Sequence, residues 1–452
     1  MGSHMTDSVL YGHLWGTDEM RGLFDERARV QSWLDILAAL AAAQAEVGLV
    51  PTDAAEAIAG HADVGLLDLD EVAAETRATG HSTLGLIRCL GRLLPDSAAD
   101  FVSYGATVQD VTDTWTALVL RDVAGIVDRD LARAIAAATD LAARHRDTLM
   151  PGRTHGQPGL PITFGFKAAG WAAELGRHRD RLTEGRPRWE KVQLGGALGT
   201  MEFWGDSALP LRQAFARRLG LAAPDLPWIT ARDGVAEFAN MLALVTATLA
   251  KIGQEVYELQ RPEIGELREP FTPGQYGSIT MPHKRNPELS EHLVTLARLV
   301  RGNAGLAVEG MVAEHERDGR AWKTEWVLLP ESCLYAGAAL DMGNRLLAGL
   351  EVDADRMRRN LDAQGGYPLS EPVMRALAAK IGKPAAHQLV YEVALAGRQR
   401  GVDLRTALLS DARVTAHLKA EEIDDCLDPV RALGITHSVV DTVVGAGGRG
   451  SR

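Results

Sequence analysis

Cysteine is scarce in this chain. Cys89, Cys333 and Cys426 are the three in 452 residues, too few and too scattered for a disulfide framework or a CxxC metal site, so a reducing, cytoplasmic setting is expected. Aromatic residues make up only 5%. An interior poor in rings and rich in Ala and Leu is filled by helix formers, so an all-α protein is expected. Positive charge is short too: 48 Lys and Arg stand against 60 Asp and Glu, a net charge of −12. That balance denies the chain the basic footprint of a nucleic-acid binder. Apolar runs such as LDILAALAAAQAEVGLV, residues 34–50, fall short of the roughly 20 apolar residues that span a bilayer, so no membrane association is expected. Walker, HExxH and EF-hand patterns are missing, which leaves no support for a metal or a cofactor. The tail GAGGRG, 445–450, matches GxGxxG literally, but only Ser451 and Arg452 follow. With no helix to receive a dinucleotide, it reads as a flexible tail. The opening MGSHM reads as a vector remnant before a native Met5, residues 1–5, and His4 is set aside.

What is present is enough apolar surface for a large core, 46% hydrophobic against 24% charged. Leu34, Ile36, Leu37 and Leu40 predict a helix within 20–47, and Pro51 followed by Asp53 and Glu56 predicts the start of another. Long amphipathic helices are predicted over 110–146, 171–189 and 236–260, and from Pro287 past Gly310. The third carries Phe238, Met241, Leu242, Val245, Leu249, Ile252, Val256 and Leu259 at helical spacing. Stripes this continuous find part of their burial against another subunit, so an oligomer is expected. The expected division is an N-terminal helical domain over 6–109, a central helical bundle over 110–363 and a C-terminal helical domain over 364–452. Gly and Pro concentrate in PGRTHGQPGLP, QLGGALGT and FTPGQYGSITMPHKRNP, loops carried between helices where chemistry tends to sit.

GSITMPHKRNP, 277–287, combines a glycine for unusual backbone angles, two prolines for stiffness, hydroxyls, cations and an amide. It resembles the signature GSSxMPxKxNP of the fumarase/aspartase superfamily. GATVQDVTDT from Gly105 and GRTHGQPGLPITFG from Gly152 resemble two further conserved regions of its adenylosuccinate-lyase and carboxymuconate branch. The three segments occur in family order, and the resemblance covers essentially the whole chain. It implies a homotetramer with a central helical bundle, active sites built from loops of three subunits, and a small dicarboxylate substrate. Removing a proton beside a carboxylate creates a doubly charged aci-carboxylate, which needs concentrated positive charge and oriented donors. The resemblance assigns the base to Ser278 and the aci-carboxylate cradle to Lys284 and Asn286. It assigns His155 and His81 to the leaving side, where an imidazole suits proton delivery near neutral pH. Thr107, Gln109, Thr154, Gln157 and Met281 are the candidate substrate contacts, with Arg317 as a candidate for an anionic leaving group. Arg320 and Lys323 are further candidates for that group.

Departures from the family pattern narrow the substrate. Val108 and Ile279 stand where relatives carry Ser. After His315-Glu316-Arg317-Asp318, Trp322 and Trp326 stand where adenylosuccinate lyases place phosphate-binding donors. That stretch, PWITARD near Arg232 and EVDADRMRRNLD resemble the bacterial 3-carboxy-cis,cis-muconate cycloisomerase branch, which typically lacks the two histidines retained here. The expectation is β-elimination from a small 2-substituted succinate with carbon–nitrogen cleavage and fumarate release, nitrosuccinate being the favoured substrate. Cycloisomerisation of 3-carboxymuconate is the alternative. A second alternative is an adenylosuccinate-lyase-like enzyme or a non-catalytic structural relative.

Overall fold

A computed structural model describes residues 4–271, 274, 276–281 and 283–447. Residues 1–3 of the expected vector remnant, and the tail from Gly448 onward, lie outside them. Among the described residues the fold is all-α: nineteen α-helices carry it, with two short two-stranded sheets. The long helices fall at Glu26–Glu46, Val108–Arg144, Phe164–Trp189, Asp233–Gln260, Glu288–Glu309 and Gly319–Gly349. Two of them tolerate proline: Pro187 in the last turn of Phe164–Trp189, and Pro330 inside Gly319–Gly349. Helix starts follow local chemistry. The Asp25 carboxylate accepts from the Arg27 and Ala28 N–H groups, satisfying donors that the first turn of Glu26–Glu46 leaves unpaired.

The chain divides into two compact units. The first comprises the chain up to Asp130 with His178–Leu249 and Thr295–Asp341. Its core gathers Leu34, Leu37, Ile58, Leu90, Leu211 and Phe215, all essentially buried, where Glu26–Glu46 packs against Thr52–His61 and Ala208–Leu219. The second unit comprises Leu131–Arg177, Ala250–Val294 and the chain from Met342. Val373, Leu377, Leu404, Leu408 and Ile423 form a core in it.

The segment PGRTHGQPGLP, expected as an open loop, instead forms an antiparallel hairpin in the second unit, Leu149–Thr154 with Gln157–Thr163. His155 and Gly156 make its two-residue turn with φ of 53° and 74°, the sign that the favoured tight hairpin turns require. Gly152 sits at a register shift, where a Cβ would lie 2.7 Å from the Leu160 carbonyl oxygen. By length and composition Asp233–Gln260 is apolar enough to cross a membrane, but 61% of its apolar 18-residue window is buried inside the protein, as in a core helix.

Candidate active site

The Gly277–Pro287 strap, in the second unit, is organised by its own polar groups. Asn286 Nδ2 donates to the Gly277 carbonyl at 2.6 Å. A Cβ on Gly277 would lie 2.3 Å from the Lys284 carbonyl oxygen, so this approach admits only glycine. Ser278 Oγ, half-buried, accepts from the Met281 N–H at 3.0 Å and lies 3.4 Å from Thr280 Oγ1. The strap's two ends are clamped together. Glu269 carboxylate oxygens accept from the Leu289 and Ser290 N–H groups, capping Glu288–Glu309. Gln260 accepts from the Glu269 N–H and donates to the Arg285 carbonyl, and Arg285 donates to the Glu269 carbonyl. Between these clamps Ile279, Met281 and Lys284 are exposed. Beside them opens a basin of about 940 Å³ lined by Lys284, Asn286 and five arginines, against only Glu291 and Asp353 of opposite sign. In a chain of net charge −12 such a basin concentrates positive potential where a dicarboxylate could be drawn in.

Thr154, His155 and Gln157 cluster at the exposed tip of the hairpin, and their side chains make no hydrogen bond with described residues. The strand below is anchored by Arg153, which forks onto the fully buried Glu266 at 2.8 and 2.6 Å, while Asn360 donates to the same carboxylate. A non-glycine residue in the left-handed region costs about 1 kcal/mol or more. His155 is therefore displayed by a turn the anchored strands impose. His81 is also exposed. It follows Gly80, whose φ of 65° ends the helix Leu69–Thr79.

In the first unit, Thr107 and Arg317 meet: Nη1 of Arg317 donates to Thr107 Oγ1 at 3.0 Å and Nη2 to the Gly196 carbonyl at 3.2 Å. Arg317 Nε is buried with no hydrogen-bond partner. Gln109 is buried, its amide donating to Asp113 and to the Ile229 carbonyl at 2.9 Å each, with Oε1 unpaired. Arg320 is engaged with Asp318 and Glu314, and Lys323 is exposed.

Two buried networks hold this motif. Asp110 accepts from the N–H groups of Thr107, Gly195 and Gly196 at 2.9, 2.7 and 3.0 Å, tying GATVQD to QLGG. Burial pushes its carboxyl up to about 6 despite those donors. The signal was in the sequence: Thr107-x-x-Asp110 is a capping-box spacing at the start of Val108–Arg144. Arg232, buried, bridges Asp113 and Glu325. Its Nε reaches Glu325 at 2.8 Å and its Nη1 reaches Asp113 at 2.7 Å, with a further bond from Nη2 to each. Burial works against the Arg232 charge, but the two carboxylates outweigh it and hold the guanidinium above its ordinary value. Burial likewise raises Glu325. Nothing in the spacing of residues 113, 232 and 325 foretold that triad.

A family model described as "Lyase" matches residues 15–302, and one described as "Adenylosuccinate lyase C-terminus" matches 366–443. The chain is 40% identical to an N-acetyl-S-(2-succino)cysteine lyase of Dickeya dadantii over 98% of both chains. It is 37% identical to a nitrosuccinate lyase of Streptomyces davaonensis over 98% of this chain and 95% of that one. The crystal structure of the 3-carboxy-cis,cis-muconate lactonizing enzyme from Pseudomonas putida superposes with a TM-score of 0.91 at 38% identity, covering 98% of this chain and all of the other.

Proposed function

Because this chain belongs to the fumarase/aspartase superfamily of lyases, we propose that it catalyses β-elimination from a 2-substituted succinate and releases fumarate. The observation that carries this reading is the Gly277–Pro287 strap, which fixes the Ser278 hydroxyl by the Met281 N–H and places Lys284 and Asn286 on the wall of the cationic basin. Ser278, as alkoxide, takes the proton from the carbon next to one carboxylate. The electron pair moves into that carboxylate as an aci-carboxylate, which Lys284 and Asn286 stabilise. It then returns to form the double bond while the carbon–heteroatom bond breaks and its electrons leave with the departing group. His155 or His81 supplies the proton that group needs. A serine hydroxyl becomes a usable base only where water is excluded and cations stand near, so this role requires the strap to close over bound substrate.

We assign a thiol as the leaving group, from an S-(2-succino) thioether. The support is the 40% identity to an enzyme named for such a substrate over nearly the full length. Carbon–nitrogen cleavage of nitrosuccinate is the second reading, favoured by the 37% relative. We also propose assembly as a homotetramer in the cytoplasm, with each site drawing on several copies. Exposed Leu244 on Asp233–Gln260, Leu299 and Leu306 on Glu288–Glu309, and Val327 on Gly319–Gly349 are the apolar positions such a bundle would cover.

Incubation with S-(2-succino)-N-acetylcysteine, nitrosuccinate and 3-carboxymuconate separates the readings. The expected products are fumarate and free thiol in equal amounts, followed by ultraviolet absorbance and a thiol-reactive dye. Nitrite release without thiol release would transfer the assignment to carbon–nitrogen cleavage. Lactone formation without fumarate would overturn elimination.

A further inference from the structure

The cationic basin of the second unit carries more positive charge than the succinate half of a substrate calls for. Its five arginines divide into two kinds. Arg356 is spent on the main chain, donating from Nε to the Ile264 carbonyl at 2.8 Å and from Nη2 to the Glu263 carbonyl at 3.0 Å. Arg285 is shared between the Glu269 carbonyl and Glu351, at 2.9 and 3.1 Å. Arg261 stands 3.4 Å from Glu258 and 3.8 Å from Glu263. The side chains of Arg268 and Arg359 are exposed on the basin wall and make no hydrogen bond or ion pair with described residues.

Anchored elements present this unpaired couple. Arg268 lies on Leu267–Arg268, a strand paired with Glu351–Val352. Arg359 stands three residues past Arg356 on the helix Ala354–Asp362, so the two are neighbours on its surface. That helix is tied down by Arg356 and by Asn360, which donates to the Ile264 carbonyl and to buried Glu266. Of the two acidic side chains on the basin wall, Asp353 is already occupied, accepting from the Arg356 N–H at 2.8 Å at the helix start. Like charges left in one concavity repel, although the chain holds 60 acidic residues that could neutralise them. An anion entering the basin relieves that repulsion. Lys284 and Asn286 line the same basin, and its volume of about 940 Å³ falls in the range of roughly 300–1,000 Å³ that small-molecule sites occupy.

We propose that Arg268 and Arg359 bind a carboxylate on the leaving group: the amino-acid carboxylate of an S-(2-succino)-N-acylcysteine whose succinate half is held at Lys284 and Asn286. The inference rests on the thioether reading above and names residues that set its specificity. A guanidinium suits this role because it can meet a carboxylate with two parallel N–H···O bonds. A nitrite leaving group brings no such carboxylate.

The test compares kcat/KM for S-(2-succino)-N-acetylcysteine with that for 2-[(2-acetamidoethyl)sulfanyl]succinate, which lacks only the amino-acid carboxylate, in the full-length enzyme and in Arg268→Gln and Arg359→Gln. The preference for the first substrate should fall about fivefold in each variant, the upper end of what a solvent-exposed ion pair supplies. In the unaltered enzyme it should also fall as salt is raised from about 0.05 to about 0.5 M, which screens an exposed pair. Arg358→Gln removes the same charge from the same helix at a position outside the basin, where Arg358 pairs with Asp362; it should leave the preference within about twofold. A preference that ignores both basin substitutions, or that falls equally in Arg358→Gln, would overturn the assignment. If both thioethers release fumarate and thiol while the preference ignores the basin arginines, the carboxylate assignment fails alone and elimination stands. If neither thioether reacts, the thioether reading fails and takes this inference with it.

Discussion

Replacing Arg232 with Met strands two carboxylates. Arg232 makes two bonds each to Asp113 and Glu325, and the side chains of those partners are only 1% and 7% exposed. Removing one member of a buried ion network typically costs about 3–5 kcal/mol, because the remaining charges keep their desolvation penalty without their partner. The packing of the guanidinium on Trp228, 4.9 Å from its ring centroid, is lost as well. At roughly 2–4 °C per kcal/mol for a 150–250-residue domain, the thermal midpoint should fall on the order of 10 °C at pH 8. The loss should depend on pH in a defined direction. Burial already raises the Glu325 carboxyl, and without Arg232 it binds its proton more tightly still when folded than when unfolded. The penalty is then fully present above its raised folded value and shrinks as pH falls toward the ordinary carboxylate range near 4. Differential scanning fluorimetry of both proteins at pH 8 and pH 5.5 measures the gap, which should narrow at the lower pH. A drop below about 2 °C, or a gap of equal size at both pH values, would refute the argument. Converting all three residues to Leu, Met and Leu should recover much of the lost stability, since no buried charge remains.

Ser278→Ala should lower kcat by about 10³-fold with KM little changed, the range a positioned proton-transfer group supplies; fumarate production under saturating substrate measures it. Gly277→Ala should displace the strap, because its Cβ would meet the Lys284 carbonyl at 2.3 Å. Steady-state kinetics should show kcat/KM falling at least tenfold with an unaltered circular dichroism spectrum. Asp110, raised from 3.8 to about 6 by burial, holds its proton more tightly when folded, so stability declines as pH rises from about 4 to about 6, by about 3 kcal/mol. Asp110→Asn should flatten that decline in urea midpoints taken at pH 5 and pH 7. It should also raise KM, because the Gly195 and Gly196 N–H groups lose a charged acceptor.

The all-α fold and the shape of the Gly277–Pro287 strap were legible because both are local properties. Helical spacing from Phe238 to Leu259 places Asp233–Gln260 within a few residues at its start and at its exact end, and a strap such as Gly277–Pro287 owes its shape to its own Gly, Pro and Asn. An aromatic content of only 5% beside abundant Ala and Leu favoured helices over strands. Locally readable patterns still misled where tertiary partners intervene. The PGRTHGQPGLP segment, read as a loop, pairs with itself in a hairpin whose first strand is anchored by Arg153 on Glu266, 113 positions away. Thr107-x-x-Asp110 could have been read as a cap, but that the same carboxylate also holds Gly195 and Gly196 depends on folding that brings residues 85 positions apart together. The amino-acid sequence alone determined helix positions, acidity and the chemical kit of the strap and hairpin. Which charges neutralise one another in the interior, as Arg232 does for Asp113 and Glu325, was decided only by the tertiary structure, because burial and pairing are properties of residues far apart in the chain.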